Sequence, residues 1–193
     1  MKRKSSTFGE IRICAVDPDT LLPGYAVFHG TRLVEHGVIP FRHKHRVRHA
    51  FPFFMRDLVK KTDALVIEDQ FVPPGKTEIA KSIINLAVAR GKIELFFDME
   101  GKNICRVMGY RWQNEVLTSG RSRRSLKRAE ADRVARMIAG QIAGGEIQNA
   151  DVASAICIGS FFARLHQVHG DLAFKIAAET GYSRQVKVKK RAN

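Results

Sequence analysis

The sequence predicts one α/β domain with a central mixed five-stranded sheet flanked by helices. Three observations predict it. Two apolar runs, Ile11-Arg12-Ile13-Cys14-Ala15-Val16-Asp17 and Ala64-Leu65-Val66-Ile67-Glu68, each end abruptly in a carboxylate and read as strands covered on both faces. A strand meander and then an amphipathic helix separate them, an order that returns the chain parallel to its first strand. The chain has 193 residues, 45% of them hydrophobic, enough for a single domain with a real core.

The elements follow in order. Residues 1–10 are expected as a basic arm, 11–170 as the folded domain, and 171–193 as a basic tail carrying Lys187, Lys189, Lys190 and Arg191. Strand one covers 11–17. Gly24-Tyr25-Ala26-Val27-Phe28-His29 is strand two, and Gly30 permits a hairpin into strand three at Leu33 to Ile39. Phe51, Met55, Leu58, Val59 and Thr62 fall at helical spacing. Strand four is 64–68. Ile79, Ile83, Leu86, Ala87 and Arg90 mark a second helix closed by Gly91, and Ile93-Glu94-Leu95-Phe96-Phe97 reads as strand five. Residues 98–124 are less regular and hold the sole tryptophan, Trp112, expected in the core or against a partner. Val134, Met137, Ile138 and Ile142 predict a helix ending at Gly144-Gly145. The last helix starts near Asn149 or Asp151, and its small residues Ala153, Gly159 and Ser160 allow close approach to the sheet.

Charge points to a partner. Lysine and arginine total 33 against 19 acids, a net +14, which suits a polyanion, most simply nucleic acid. Charge alone does not separate DNA from RNA or acidic lipid. Two segments concentrate it. Residues 42–49 hold Arg42, His43, Lys44, His45, Arg46, Arg48 and His49, read as phosphate-facing or solvated rather than metal-binding because no acidic or Cys partner is near. Arg121, Arg123, Arg124, Lys127 and Arg128, interleaved with Ser122 and Ser125, suit phosphate oxygens, or a plain surface loop. Cys14, Cys105 and Cys157 lack metal-ligand spacing and are expected as buried free thiols in a reducing compartment. No run reaches the length of a membrane span and no apolar stretch follows the basic start. The expectation is a soluble intracellular protein, in cytoplasm or nucleoid if bacterial or phage, otherwise in an organelle or nucleus.

Parallel neighbouring strands would bring Asp17 and Glu68 to one sheet edge, where the repulsion between carboxylates is relieved by divalent cations. Asp17 has a plainer reading as the start of an Asp17-Pro18-Asp19 turn. Asp151 likewise reads as a helix cap. Phe71, three residues beyond Glu68, is either a core residue or a ring that stacks on an unpaired base.

Four places in this order resemble the RuvC-type Holliday-junction resolvases, of the ribonuclease H-like fold. Val16-Asp17-Pro18-Asp19 with Gly24-Tyr25-Ala26-Val27 resembles their D-P-G followed by G-(Y/W)-G-(V/I). Ile67-Glu68-Asp69-Gln70-Phe71 resembles I-E-x-x-F. Arg133-Val134-Ala135-Arg136-Met137-Ile138 resembles a basic lead into V-x-x-M-(I/V). Ala150-Asp151-Val152-Ala153-Ser154-Ala155-Ile156 resembles A-D-x-A-D-A-(L/I). The match spans about 11–165.

The resemblance implies a homodimeric endonuclease acting on branched DNA at four-way junctions. It implies Asp17, Glu68 and Asp151 as catalytic ligands of Mg²⁺, with Mn²⁺ as an alternative, and Phe71 with the 121–128 cluster on DNA. Two departures stand out. Asp19 replaces the family glycine, and Ser154 stands where a fourth acid is usual. The site then works with three carboxylates, or Asp19, Asp69 or Asp132 substitutes, or Ser154 is an inactivating replacement. A register shift that puts Gln148 and Asp151 at the two acid positions is a further reading. Competing functions are an RNA-processing nuclease or transposase-like catalytic domain on the same fold, and a non-catalytic DNA-binding protein.

Overall fold

The computed structural model describes residues 10–41, 50–69, 80–118 and 126–178. The basic segment at 42–49, Phe71, Arg121, Arg123 and Arg124 lie outside these residues, as does most of each expected terminal arm.

Strands β1 (Arg12–Asp17), β2 (Gly24–His29) and β3 (Arg32–Val38) form an antiparallel meander. Gly30 turns the hairpin at φ 57°, a left-handed conformation that glycine adopts without a Cβ penalty. Helix α1 (Ala50–Lys61) buries Met55, Leu58 and Val59 and leads to β4 (Ala64–Asp69). β4 pairs parallel to β1, with Ile13 opposite Ala64 and Val16 opposite Ile67. A double contact helps fix that register: the Arg12 backbone N–H and guanidinium both donate to Asp63, at 2.9 and 3.0 Å. Sheet order is β3-β2-β1-β4-β5, with β5 (Asn103–Met108) parallel to β4.

The fifth strand is not where the sequence pattern puts it. Residues 93–97 belong to α2 (Ala80–Met99), which runs through Gly91 rather than ending there. Period two would bury Ile93, Leu95 and Phe97 together. Instead Ala89, Ile93 and Phe97 are buried at four-residue spacing, while Leu95 is 54% exposed. The β-branched and aromatic content of that run imitates a strand, but tertiary packing decides its period. A side chain at Gly91 would meet nothing within 4 Å, so glycine there costs only propensity, about 1 kcal/mol.

Helix α3 (Gly109–Trp112) and a π-helical turn (Gln113–Leu117) follow β5. Helix α4 (Arg128–Ala143) ends at Gly144 with φ 71°. Ile138 and Ile142 pack against the core as expected, but the fully inward positions are Ala131, Ala135 and Ala139, and Met137 is exposed. Small residues at this spacing let α4 lie close to α5 (Ala150–His169). Helix α6 (Leu172–Ala178) occupies the start of the expected tail and buries Ala173 and Ala177 against the core.

The sheet therefore has two covered faces. Ile13, Ala15, Ala26, Phe28, Val66 and Val107 pack toward α4, α5 and α6. Cys14, Val16, Val27, Leu65 and Ile67 pack toward α1 and α2. All three cysteines are free and buried. No helix among the described residues is long and apolar enough to cross a membrane.

Gly159 brings α5 onto the sheet. A Cβ there would lie 2.4 Å from the Phe28 ring and 3.1 Å from the Ala15 Cβ. Gly159→Ala gains up to about 1 kcal/mol of helix propensity, against roughly 1–3 kcal/mol for overpacking. The expected outcome is a lower urea midpoint with an unchanged slope. An unchanged midpoint would mean that α5 stands farther from the sheet.

Candidate active site

Side-chain alternation sets the site. Asp17 continues the face of Ile13 and Ala15, and Glu68 continues the face of Ala64 and Val66, so both carboxylates leave the sheet on the α5 side. They lie one step beyond the last β1–β4 pair, Val16 with Ile67. Asp69 has the opposite parity. It forms an ion pair with Arg90 of α2, on the other face.

Helix α5 supplies the third acid. Asn149 is its N-cap, with the side-chain oxygen accepting from the Val152 N–H at 2.9 Å. That leaves Asp151 free of capping duty, and Asp151 and Ser154 share a helix face. The register-shifted reading finds no support, because Gln148 lies ahead of the cap and lines a separate groove with Arg133 and Arg136. The helix can sit this low because β2 presents Gly24 beneath it. A Cβ at Gly24 would fall 2.2 Å from the Asp151 carbonyl. Gly24 is also the residue directly opposite Asp17 in the sheet.

Asp17, Glu68, Asp151 and Ser154 line one cavity of about 620 Å³, together with Asp19, Asp132, Arg128 and Trp112. Lys127 lies beside it at the N-cap of α4. Gly109 makes room for Glu68, since a Cβ there would be 2.2 Å from the Glu68 Oε1.

The electrostatics are those of crowded acids. Asp17 opens onto the cavity but is enclosed by protein elsewhere. Burial pushes its pKa well above the ordinary 3.8; repulsion from Glu68, a hydrogen bond to Glu68 and the charge of Asp151 add to this, and Ser154 opposes it. Burial also raises Glu68, while the Asp17 proton and the Trp112 indole act against it. Burial and the neighbouring acids thus favour the protonated form of both, and the hydrogen bond between them favours it at Asp17 over Glu68. Asp151 is raised by burial and by Asp19 and Asp132, with Arg128 opposing. Asp19 is different. Against partial burial, the N–H groups of Leu22, Leu21 and Thr20 and the charge of Arg128 hold it below its usual value. Its Oδ1 accepts from Leu21 and Leu22 at 2.7 and 3.0 Å, a turn formed by the side chain itself.

Among the described residues, no three His, Cys, Asp or Glu side chains are gathered closely enough to hold a metal ion as they stand. The donor set nevertheless fits a hard divalent cation: carboxylate oxygens on one cavity, two of them raised in pKa by burial and by their acidic neighbours. The Trp112 indole supports this. It is 2% exposed, near enough to Glu68 to influence it, yet its N–H has no partner in hydrogen-bond geometry among the described residues. It would gain an acceptor once Glu68 turned or was released from its hydrogen bond with Asp17. Gly109 and the Trp112 contact leave no signal as site features in the sequence. Gly24 leaves a trace there, as part of a motif.

No protein-family profile and no curated protein matches the sequence. Solved structures do. RuvC of Thermus thermophilus, in complex with a Holliday junction substrate, is 14% identical with a TM-score of 0.57, covering 82% of this chain and 96% of that one. A second structure of Thermus thermophilus RuvC is 16% identical at 0.54, covering 81% and 98%. The yeast mitochondrial Holliday junction resolvase is 12% identical at 0.51, covering 89% and 85%. The chain has the ribonuclease H-like fold of the RuvC-type resolvases.

A carboxyl group with a raised folded-state pKa makes stability fall as pH rises past its unfolded value, here 3.8. Asp17→Asn is therefore expected to raise the Tm of the metal-free protein at neutral pH, by about 2–4 °C per kcal/mol relieved. The gain should vanish as pH falls through the ordinary carboxylate range. Calorimetry in chelator reads it, and equal Tm values at neutral pH would contradict the crowded-acid account.

Proposed function

We propose that this protein is a metal-dependent, structure-selective endonuclease that resolves four-way DNA junctions by paired phosphodiester hydrolysis. One observation carries the reading: Asp17, Glu68 and Asp151, from two strand ends and a helix start, line a single cavity in a fold shared with solved Holliday junction resolvases. The net charge of +14 supports a nucleic-acid partner.

Asp17, Glu68 and Asp151 would hold Mg²⁺ or Mn²⁺. When bound, such ions activate water and neutralise charge at the phosphate. The protein's own residues do the rest. Asp17, on losing its proton to solvent, would release Glu68 to accept from the Trp112 indole. Arg128, on the cavity wall, takes a phosphate oxygen, and Lys127 adds charge beside it. Phe71, Arg121, Arg123 and Arg124 belong to the same proposed DNA surface.

Two symmetric nicks need two sites, so the proposal includes a twofold dimer. Its support is a stripe on α2. Ile84, Val88, Leu95 and Met99 are 61, 51, 54 and 75% exposed, at positions that share one helix face. Gly91 lies between them, open to close approach. Leu95→Arg combined with Val88→Glu is expected to give a monomer by light scattering and to lose paired nicking. A dimer that survives both would place the interface elsewhere.

Ser154 favours a second reading, a junction-binding protein with an inactive site. Cleavage of a labelled four-way junction in Mg²⁺, beside linear duplex and duplex RNA, separates them. Paired nicks in the junction alone are expected. Glu68→Gln should lower the rate roughly a hundredfold or more and leave junction binding intact. Tight binding without nicking in either Mg²⁺ or Mn²⁺ would favour the inactive reading, and cleavage of RNA alone would favour an RNA-processing nuclease.

A further inference from the structure

The serine at position 154 leaves the α5 face one charge short, and the cavity holds a replacement on a different helix. Three acids near the site are candidates. Asp69 points to the opposite sheet face and is engaged by Arg90. Asp19 lines the cavity, but its Oδ1 is committed to the turn at Leu21 and Leu22. Asp132 remains. It lies one turn along α4 from Arg128, half-buried, and lines the same cavity as Asp17, Glu68, Asp151 and Ser154.

We infer that Asp132 is the fourth carboxylate of the cation site, supplied from α4 in place of an acid at position 154. The inference rests on the proposed metal-dependent reading of the cavity. Three observations carry it. The Asp132 carboxylate makes no hydrogen bond or ion pair among the described residues; only its backbone carbonyl is used, accepting from the Arg136 Nε at 3.3 Å. Its helix is held against α5 by Ala135 and Ala139, at most 1% exposed and in one core cluster with α5, so its place relative to Asp151 is set by packing rather than by a loop. The cavity is also lined by Trp112, whose buried indole N–H lies close enough to Glu68 to influence it but has no partner in hydrogen-bond geometry among the described residues, a donor that carboxylates drawn onto a cation would satisfy.

The position has a consequence for charge. Arg128 and Asp132 sit on successive turns of one helix face. The phosphate-facing cation and the metal-facing acid would therefore be carried by the same rigid element. Movement of α4 would displace both together.

The test is calorimetric titration of the full chain with Mn²⁺ at neutral pH. The proteins compared are wild type, Asp132→Asn, and Asp132→Asn combined with Ser154→Asp. Asp132→Asn is expected to weaken Mn²⁺ binding about tenfold or more, with the metal-free Tm unchanged or raised. Adding Ser154→Asp should restore binding to near the wild-type affinity, because it returns the acid to the α5 face of the same cavity. Unchanged Mn²⁺ affinity in Asp132→Asn overturns the inference, as does a loss that Ser154→Asp leaves unrepaired. A wild-type protein that takes no Mn²⁺ overturns both this and the proposed function. Mn²⁺ binding that depends on Asp132, in a wild-type protein that nicks no junction, upholds the inference and removes the resolvase reading.

Discussion

The structure turns on two carboxylates that end adjacent parallel strands and leave the sheet on the same side. Among the described residues, Asp17 and Glu68 have no basic partner between them, and burial with the neighbouring carboxylates pushes the pKa of both upward. Among the described residues, the cavity wall carries one arginine and five acids, an arrangement that stability alone does not favour. Under the proposed function its complement is a divalent cation, and several otherwise unrelated features of the chain make sense as ways of keeping that arrangement in place.

Close approach is the first of these. Gly24 lets the first turn of α5 settle on β2 directly opposite Asp17, Gly109 clears space for the Glu68 carboxylate, and Gly159 seats the middle of α5 on Phe28. Capping is the second. Because Asn149 satisfies the Val152 N–H, Asp151 is free to face the cavity. Ion pairing is the third. Arg90 engages Asp69 and approaches Glu94 at 3.6 Å, and Arg106 donates to Glu94 at 2.8 and 2.9 Å. That network ties α2 to the ends of β4 and β5, so the strand end bearing Glu68 is braced from the far face.

Much of this is legible in the sequence because it obeys period two. The paired apolar runs, their terminal acids and their parallel relation follow from alternation and chain order, and the sheet carries them as expected. The fifth strand is not legible, because Ile93 to Phe97 has strand-like composition inside a helix, and only the burial of Ala89, Ile93 and Phe97 reveals the true period. The α4 face misleads for the converse reason. Ile138 and Ile142 do pack on the core, but the most buried residues are alanines, and Met137, the bulkier choice, is exposed. Composition does not assign the cap between Asn149 and Asp151, since both residue types suit an N-cap. The relation of Trp112 to Glu68, and of Asp132 to Ser154, is tertiary: each pair is separated in sequence and meets only through packing.

The most direct test of the cation-site account is anomalous scattering from crystals of the wild-type protein grown with Mn²⁺ at neutral pH. The account predicts anomalous density in the cavity bounded by Asp17, Glu68 and Asp151, with the direct Asp17–Glu68 hydrogen bond broken. Density confined to other parts of the surface, with that hydrogen bond intact, would contradict it.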